Sequence, residues 1–301
     1  KGNMFVYGMF PWLSEDDDIL EKEKFAMKKR IITLVAMFAI MTATLLMAGC
    51  GGNKEAADWD YVKKNGKFII GLDDTFAPMG FRDKNNKLVG FDIDLAKAVG
   101  KELGVEVEFK PIDWDAKYSE LKAKNIDCVW NGMSANPERA EKLSLSKLYL
   151  NNKIVVMTMK NDVKVNKASD LKQYKIGIQA DSAALETMRK NKEYKNFKKN
   201  ITEYKTYDEA ILDLKAGRLD VIAVDQVLGN YKNTKMKNIL KVCKFDFGDD
   251  HYAIGFRKND KKLTEKVNEA LKALIDNGKA GKISKKWFGK NIVEYKDYEG
   301  K

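Results

Sequence analysis

Two residues of opposite charge stand where strands give way to helices. Arg139 closes the stretch Asp127-Cys-Val-Trp-Asn-Gly-Met-Ser-Ala-Asn-Pro-Glu-Arg139, which reads as a short apolar strand, a polar turn and a helix start. Asn136 suits an N-cap and Pro137 the first helical position, where a missing N–H costs nothing. Arg139 then falls in the first helical turn, a guanidinium beside free backbone N–H groups at the carboxyl end of a strand. A small carboxylate would find a bidentate partner and a favourable dipole there. Asp225 ends a second apolar run and offers an anion. An α-amino acid carries both complementary charges, so one zwitterion could bridge the two if they faced each other. Exposed ion pairs supply at most ~1 kcal/mol, whereas micromolar affinity needs about −8 kcal/mol. Such a site must close around its ligand, and two lobes with a hinge provide closure.

The elements that would position these charges follow in order. Phe68 to Leu72 reads as a buried strand ending at Asp73-Asp74-Thr75-Phe76-Ala77-Pro78, and open α/β sheets bind ligands just past strand ends. Asn85-Asn86-Lys87 turns a hairpin. A helix runs to Leu103 with Leu95, Ala96, Val99 and Leu103 on one face, and Gly104 ends it. Val105 to Phe109 is a strand, Trp114 follows in a loop, and Asp115 to Lys124 is a helix with Tyr118 and Leu121 inward. Phe76 and Trp114 would give flat apolar walls to a ligand side chain, and each suits core packing equally well. Asp73 and Asp74 could receive a basic side chain, or cap the turn.

Past the strand Lys153 to Met157 the pattern repeats. Lys175 to Gln179 is a strand, Ser182 caps a helix to about Asn191, Ile201 to Tyr204 is a strand, and Asp208 to Ala216 a helix closed by Gly217. Glu120-Leu-Lys-Ala-Lys-Asn-Ile-Asp-Cys-Val-Trp aligns with Asp213-Leu-Lys-Ala-Gly-Arg-Leu-Asp-Val-Ile-Ala. In both, a helix turns into a strand that delivers polar residues at its carboxyl end, Asn131 in one and Asp225 in the other. Alternating β and α elements in two similar lobes imply α/β sheets. Strands at Val242 to Phe247 and His251 to Phe256 lead to a helix from Lys261 to Asn277 and another containing Ile283 and Trp287.

The beginning of the chain reads differently. Met27 precedes Lys28, Lys29 and Arg30, a mostly apolar run from Ile31 to Leu46, and Met47-Ala48-Gly49-Cys50. A basic start, an apolar middle too short for the ~20 residues of a membrane span, and small residues before a cleavage point make a secretory signal. Residues 1–26 read as upstream sequence. From Cys50 onward the chain holds 49 Lys and Arg against 38 Asp and Glu, spread through Lys-rich helices and turns. The absence of an arginine-rich block or aromatic-basic ladder speaks against nucleic-acid binding; a basic surface suits an anionic cell envelope. Cys128 and Cys243 read as buried free thiols, with a disulfide between them open.

Ala48-Gly49 before Cys50 resembles a bacterial lipobox, and the run Gly90-Phe-Asp-Ile-Asp-Leu-Ala-Lys-Ala-Val-Gly-Lys-Glu-Leu103 resembles the signature of bacterial extracellular solute-binding proteins of the polar amino acid ABC transporter family. The similarity extends over roughly residues 60 to 290. It implies a two-lobed, periplasmic-binding-protein-like type II fold with two hinge strands. Lobe 1 would comprise 61–152 plus 250–301 and lobe 2 153–249, after a signal peptide at 27–49 and a lipid-anchored tether at 50–60. Arg139 would hold the ligand carboxylate and Asp225 its ammonium; Asp73, Phe76 and Trp114 would border the side chain, and groups at Asn131, Gly132, Ser134 and Ser182 would complete the hydrogen bonds. The implied partners are a polar or charged amino acid and an ABC permease. The protein would be a monomer held outside the cytoplasm by lipid on Cys50. Four positions depart from the family pattern: Asp181 replaces a common Gly, Ala183 a common Ser or Thr, and Asn131-Gly132 a small hydroxyl pair.

Two other classes compete. Prephenate- or arogenate-type dehydratases use the same fold, yet no nucleophile and base pair stands out, and His251, the only histidine, reads as satisfied or solvated. No metal spacing or phosphate-cradling glycine loop is present, so no cofactor is expected. A ligand-sensing receptor domain is the third reading; the chain carries no signalling segment.

Overall fold

The computed structural model describes residues 58–300. The upstream segment, the signal peptide and Cys50 lie outside the described residues. The first element among the described residues is a helix over Trp59–Asn65, capped by Asp58, whose carboxylate accepts from Trp59 N and Leu263 N. Within the tether expected to reach residue 60, Trp59 thus belongs to a helix and is a core residue.

The strands are β1 (Lys67–Leu72), β2 (Thr75–Phe76), β3 (Gly80–Arg82), β4 (Leu88–Val89), β5 (Glu106–Pro111), β6 (Cys128–Val129), β7 (Leu143–Leu145), β8 (Leu148–Thr158), β9 (Ile176–Gln179), β10 (Ile201–Tyr204), β11 (Val221–Asp225), β12 (Lys241–Tyr252), β13 (Gly255–Arg257) and β14 (Val293–Lys296). One sheet has the order β5-β1-β6-β13-β7, with β1 parallel to both β5 and β6. A second has the order β10-β9-β11-β8-β12, its first three strands parallel. A small antiparallel sheet, β2-β3-β4, carries the hairpin at Asn86, which takes φ 60°.

Helices cover the parallel strands, which is why β1 is apolar in nearly every position. The helix Phe91–Leu103 buries Phe91, Leu95, Ala96 and Val99. Burying Phe91, Leu95 and Val99 contributes roughly 1.5–3 kcal/mol each. Gly104 ends it in the left-handed conformation (φ 70°), as its sequence position predicts. The helix expected from Asp115 is a 3-10 turn over Trp114–Ala116 followed by Lys117–Lys122 only, and Lys124 at φ 60° turns the chain away.

The fold is two-lobed, and two long strands connect the sheets. β8 starts two residues after β7 of the first sheet and pairs antiparallel with β12 of the second, whose end at Tyr252 leads straight into β13 of the first. The two strands expected at 242–247 and 251–256 are divided differently: β12 runs unbroken to Tyr252. Two register shifts, with Gly248 at φ 100°, let it bend rather than stop. Cys128 and Cys243 are free thiols, Cys128 fully buried.

Candidate functional site

The helix Pro137–Lys142 is short, and its value lies in where it starts. Asn136 caps it by accepting from Arg139 N at 2.9 Å, with Pro137 in the first turn, as the sequence predicts. The Arg139 side chain is only 1% exposed. Its Nη1 donates to Ser134 O at 3.1 Å, while Nε and Nη2 donate to Glu186 Oε1 at 3.3 and 3.1 Å. The guanidinium carbon lies 5.9 Å from the centroid of the Trp114 ring. Burial works against the charge of Arg139, and Glu186, Tyr118 and Asp250 together more than offset it, so its pKa stands above the ordinary value.

Glu186 was not singled out in the sequence. It lies on the first turn of the helix Ala183–Lys190, capped by Ser182 Oγ, which accepts from Leu185 N at 3.2 Å. The signal was a carboxylate four residues past an N-cap at the end of a parallel strand, a place where helix dipoles favour anions.

Asp225 ends β11, buried. Its Oδ1 accepts from Asn152 Nδ2 at 2.7 Å and from the Tyr252 hydroxyl at 2.8 Å. The same Asn152 amide donates to Asp250 Oδ2 at 2.8 Å, which also accepts from Ser134 Oγ at 2.8 Å. Burial, and then the nearby Asp250 charge, push the Asp225 carboxyl up to about 7. A buried and a half-buried carboxylate sharing one amide form a strong attractor for an ammonium group. Asn152 and Tyr252 belong to the connecting strands β8 and β12, which sequence periodicity shows only as apolar runs.

Asp73 caps its turn, one of the two roles considered for it in the sequence, and also reaches the opposite sheet. Its Oδ1 accepts from Thr75 N (2.9 Å) and Thr75 Oγ1 (2.6 Å), capping the turn, while Oδ2 accepts from Gln179 Nε2 of the opposite sheet at 2.7 Å. Burial raises its pKa, with the Thr75 and Gln179 bonds pulling the other way. Asn131 Nδ2 donates to Asp73 O at 2.6 Å, and its Oδ1 is buried without a partner among the described residues. Gly132 takes φ 59°, and a Cβ there would come within 2.9 Å of the Phe76 ring. Its N–H donates to Asp92 Oδ2 at 2.7 Å. Asp92, inside the Gly90 to Leu103 run, is thus a buried strut for this loop, and burial pushes its carboxyl up to about 7.

Phe76, Trp114, Asn131, Gly132, Ser134, Arg139, Ser182 and Asp225 line one cavity together with Gln179 and Ala183. Asp73 lines the adjoining cavity with Trp114 and Lys205. The shared cavity is ≈ 10 Å³, about the room of one water. Hollows of ≈ 500 and ≈ 720 Å³ flank Tyr231 and Trp287, but neither touches Arg139. Convergent polar groups, rather than volume, mark the candidate cleft. Among the described residues no His, Cys, Asp and Glu group is arranged to hold a metal, and no helix is long and apolar enough to cross a membrane.

The family model of bacterial extracellular solute-binding proteins, family 3, matches residues 68–290. The chain belongs to this family. The solute-binding protein is 30% identical to the L-cystine-binding protein TcyJ of Escherichia coli K12 over 265 residues, covering 86% of this chain and 97% of that protein. It is likewise 30% identical to the arginine-binding extracellular protein ArtP of Bacillus subtilis, covering 87% and 98%. A solved ABC uptake transporter substrate-binding protein from Streptococcus pneumoniae with bound histidine superposes with a TM-score of 0.76 at 38% identity, covering 80% of this chain and 99% of that one. An ancestral arginine-binding protein bound to arginine gives 0.67 at 34% identity, covering 74% and 99%. The type II periplasmic-binding-protein fold of these structures is the fold of this solute-binding protein.

Proposed function

We propose that this solute-binding protein captures an α-amino acid between its lobes and delivers it to the permease of an ABC importer. The single observation that carries the reading is the convergence of Arg139 and Asp225, from different sheets, on one cavity. Arg139 receives the α-carboxylate and Asp225 the ammonium. Phe76 and Trp114 flank the side chain, Asp73 faces its polar end, and Asn131, Gly132, Ser134 and Ser182 supply the remaining hydrogen bonds. The cleft gathers Asp73, Asp181, Glu186, Asp225 and Asp250 against the cations Arg139, Lys117 and Lys205. This acid excess favours a neutral or basic side chain over an acidic one. The histidine- and arginine-bound relatives support the same class.

Lobe 1 is assigned to 61–152 plus 250–301 and lobe 2 to 153–249, the boundaries falling on the connecting strands. The protein acts as a monomeric carrier, not as an enzyme. Cleavage before Cys50 and lipidation of its thiol would hold the mature protein at the outer face of the cell membrane; two or more acyl chains anchor stably where one is marginal. Calorimetric titration with the proteinogenic amino acids, cystine and ornithine tests the capture reading. Heat from one or a few basic or neutral members supports it, and silence from ligand-free protein refutes it.

A further inference from the structure

Lys117 is a second cation beside Trp114, and it is completely buried. It opens the helix Lys117–Lys122, and its ammonium lies 5.0 Å from the centroid of the Trp114 ring. Two of its hydrogen bonds go to one residue across the cleft, the carbonyl oxygen of Asp181 at 3.2 Å and the Asp181 carboxylate; a third goes to Trp114 O at 3.1 Å. A lysine ammonium has only three N–H donors, so Asp181 takes most of its capacity.

Asp181 follows β9 and holds φ 53°, in the left-handed region where glycine sits at no cost. An aspartate there is tolerated at some backbone expense, and its side chain reaches a buried cation on the opposite lobe. A conformational cost and an otherwise unpaired buried charge are resolved by the same contact.

We infer that Lys117 and Asp181 form a latch between the lobes, positioning residues that hold the cleft shut without contacting the solute. Opening hydrates both charges; closing buries the ammonium, which is tolerable only with its partner in place. The groups facing Lys117 are Arg139 and Glu186, from the helices Pro137–Lys142 and Ala183–Lys190, with Asp181 and the Tyr118 ring. Burial, then the Arg139 charge, bring the Lys117 pKa down to about 8, so the latch also weakens in alkaline solution. The inference rests on the capture reading for the identity of what is enclosed.

The test uses spin labels on cysteines replacing the exposed Lys67 and Lys215, one on each lobe, in a Cys243→Ser background. Asp181→Gly is the informative variant because glycine suits the backbone there. The latch predicts that Asp181→Gly and Lys117→Met each move the label distances to longer values and speed amino-acid release by about tenfold or more. The double variant should go no further than the larger single effect. Unchanged distances and release rates, or fully additive effects, would overturn the latch. If the unaltered protein bound no amino acid, the capture reading would fail, while the label distances, which need no ligand, would still decide the latch.

Discussion

Oε1 of Glu186 lies 3.1 Å from Nη2 of Arg139, and the two side chains, from opposite lobes, are 4% and 1% exposed. The guanidinium edge expected to grip a ligand carboxylate is thereby engaged by a carboxylate of the protein. Glu186 and an incoming α-carboxylate must share Arg139 or exchange on it.

Removing one partner of such a pair strands a buried charge. Arg139→Met should abolish amino-acid binding and lower stability by about 3–5 kcal/mol. Arg139→Met combined with Glu186→Gln should recover much of the stability and none of the binding. Urea unfolding and calorimetry on the same samples separate the two effects.

The Asp225 carboxyl, pushed up to about 7, must be ionised to receive an ammonium. Affinity should therefore fall as pH drops from 8 to 5, with proton release on binding near pH 6. Titrations in two buffers of different ionisation heat measure that release, and Asp225→Asn should eliminate it along with most of the affinity.

Asp92 concerns stability. Its folded pKa of about 7 exceeds the ordinary carboxyl value, so the folded state binds the proton more tightly than the unfolded one. Its contribution is fully present below about pH 4 and is lost as pH rises through 7. The change is on the order of a few kcal/mol. Asp92→Asn should flatten this slope while an amide oxygen still accepts from Gly132 N, as urea midpoints between pH 4.5 and 8 would register.

Gly132→Ala introduces a methyl group 2.9 Å from the Phe76 ring at φ 59°. A loss of roughly 1–3 kcal/mol is expected, together with weaker binding, because the Gly132 loop borders the cleft. Thermal unfolding with and without bound amino acid reads both.

The cap at Asn136, the position of Arg139 and the delivery of Asp225 by β11 were legible because each depends on residues adjacent in sequence. So were the helices ending at Gly104 and starting at Ser182. What sequence did not reveal is pairing across the cleft. Glu186 to Arg139, Asp181 to Lys117 and Gln179 to Asp73 join residues 47, 64 and 106 positions apart, and no local periodicity encodes such partners. Asp181 was marked only as a replacement for glycine; its φ of 53° and its reach to Lys117 supply the reason it matters. β14, pairing with β8 at Leu150, also went unnoticed, because four residues of mixed polarity carry no strand signal of their own.

The most direct measurement of the central claim is calorimetric titration of ligand-free protein, spanning residues 51–301, against the amino-acid panel, with Asp225→Asn run in parallel. Capture between Arg139 and Asp225 predicts saturable binding of a basic or neutral amino acid, weakened at least a hundredfold in the variant. No binding across the panel, or equal affinity in Asp225→Asn, would contradict it.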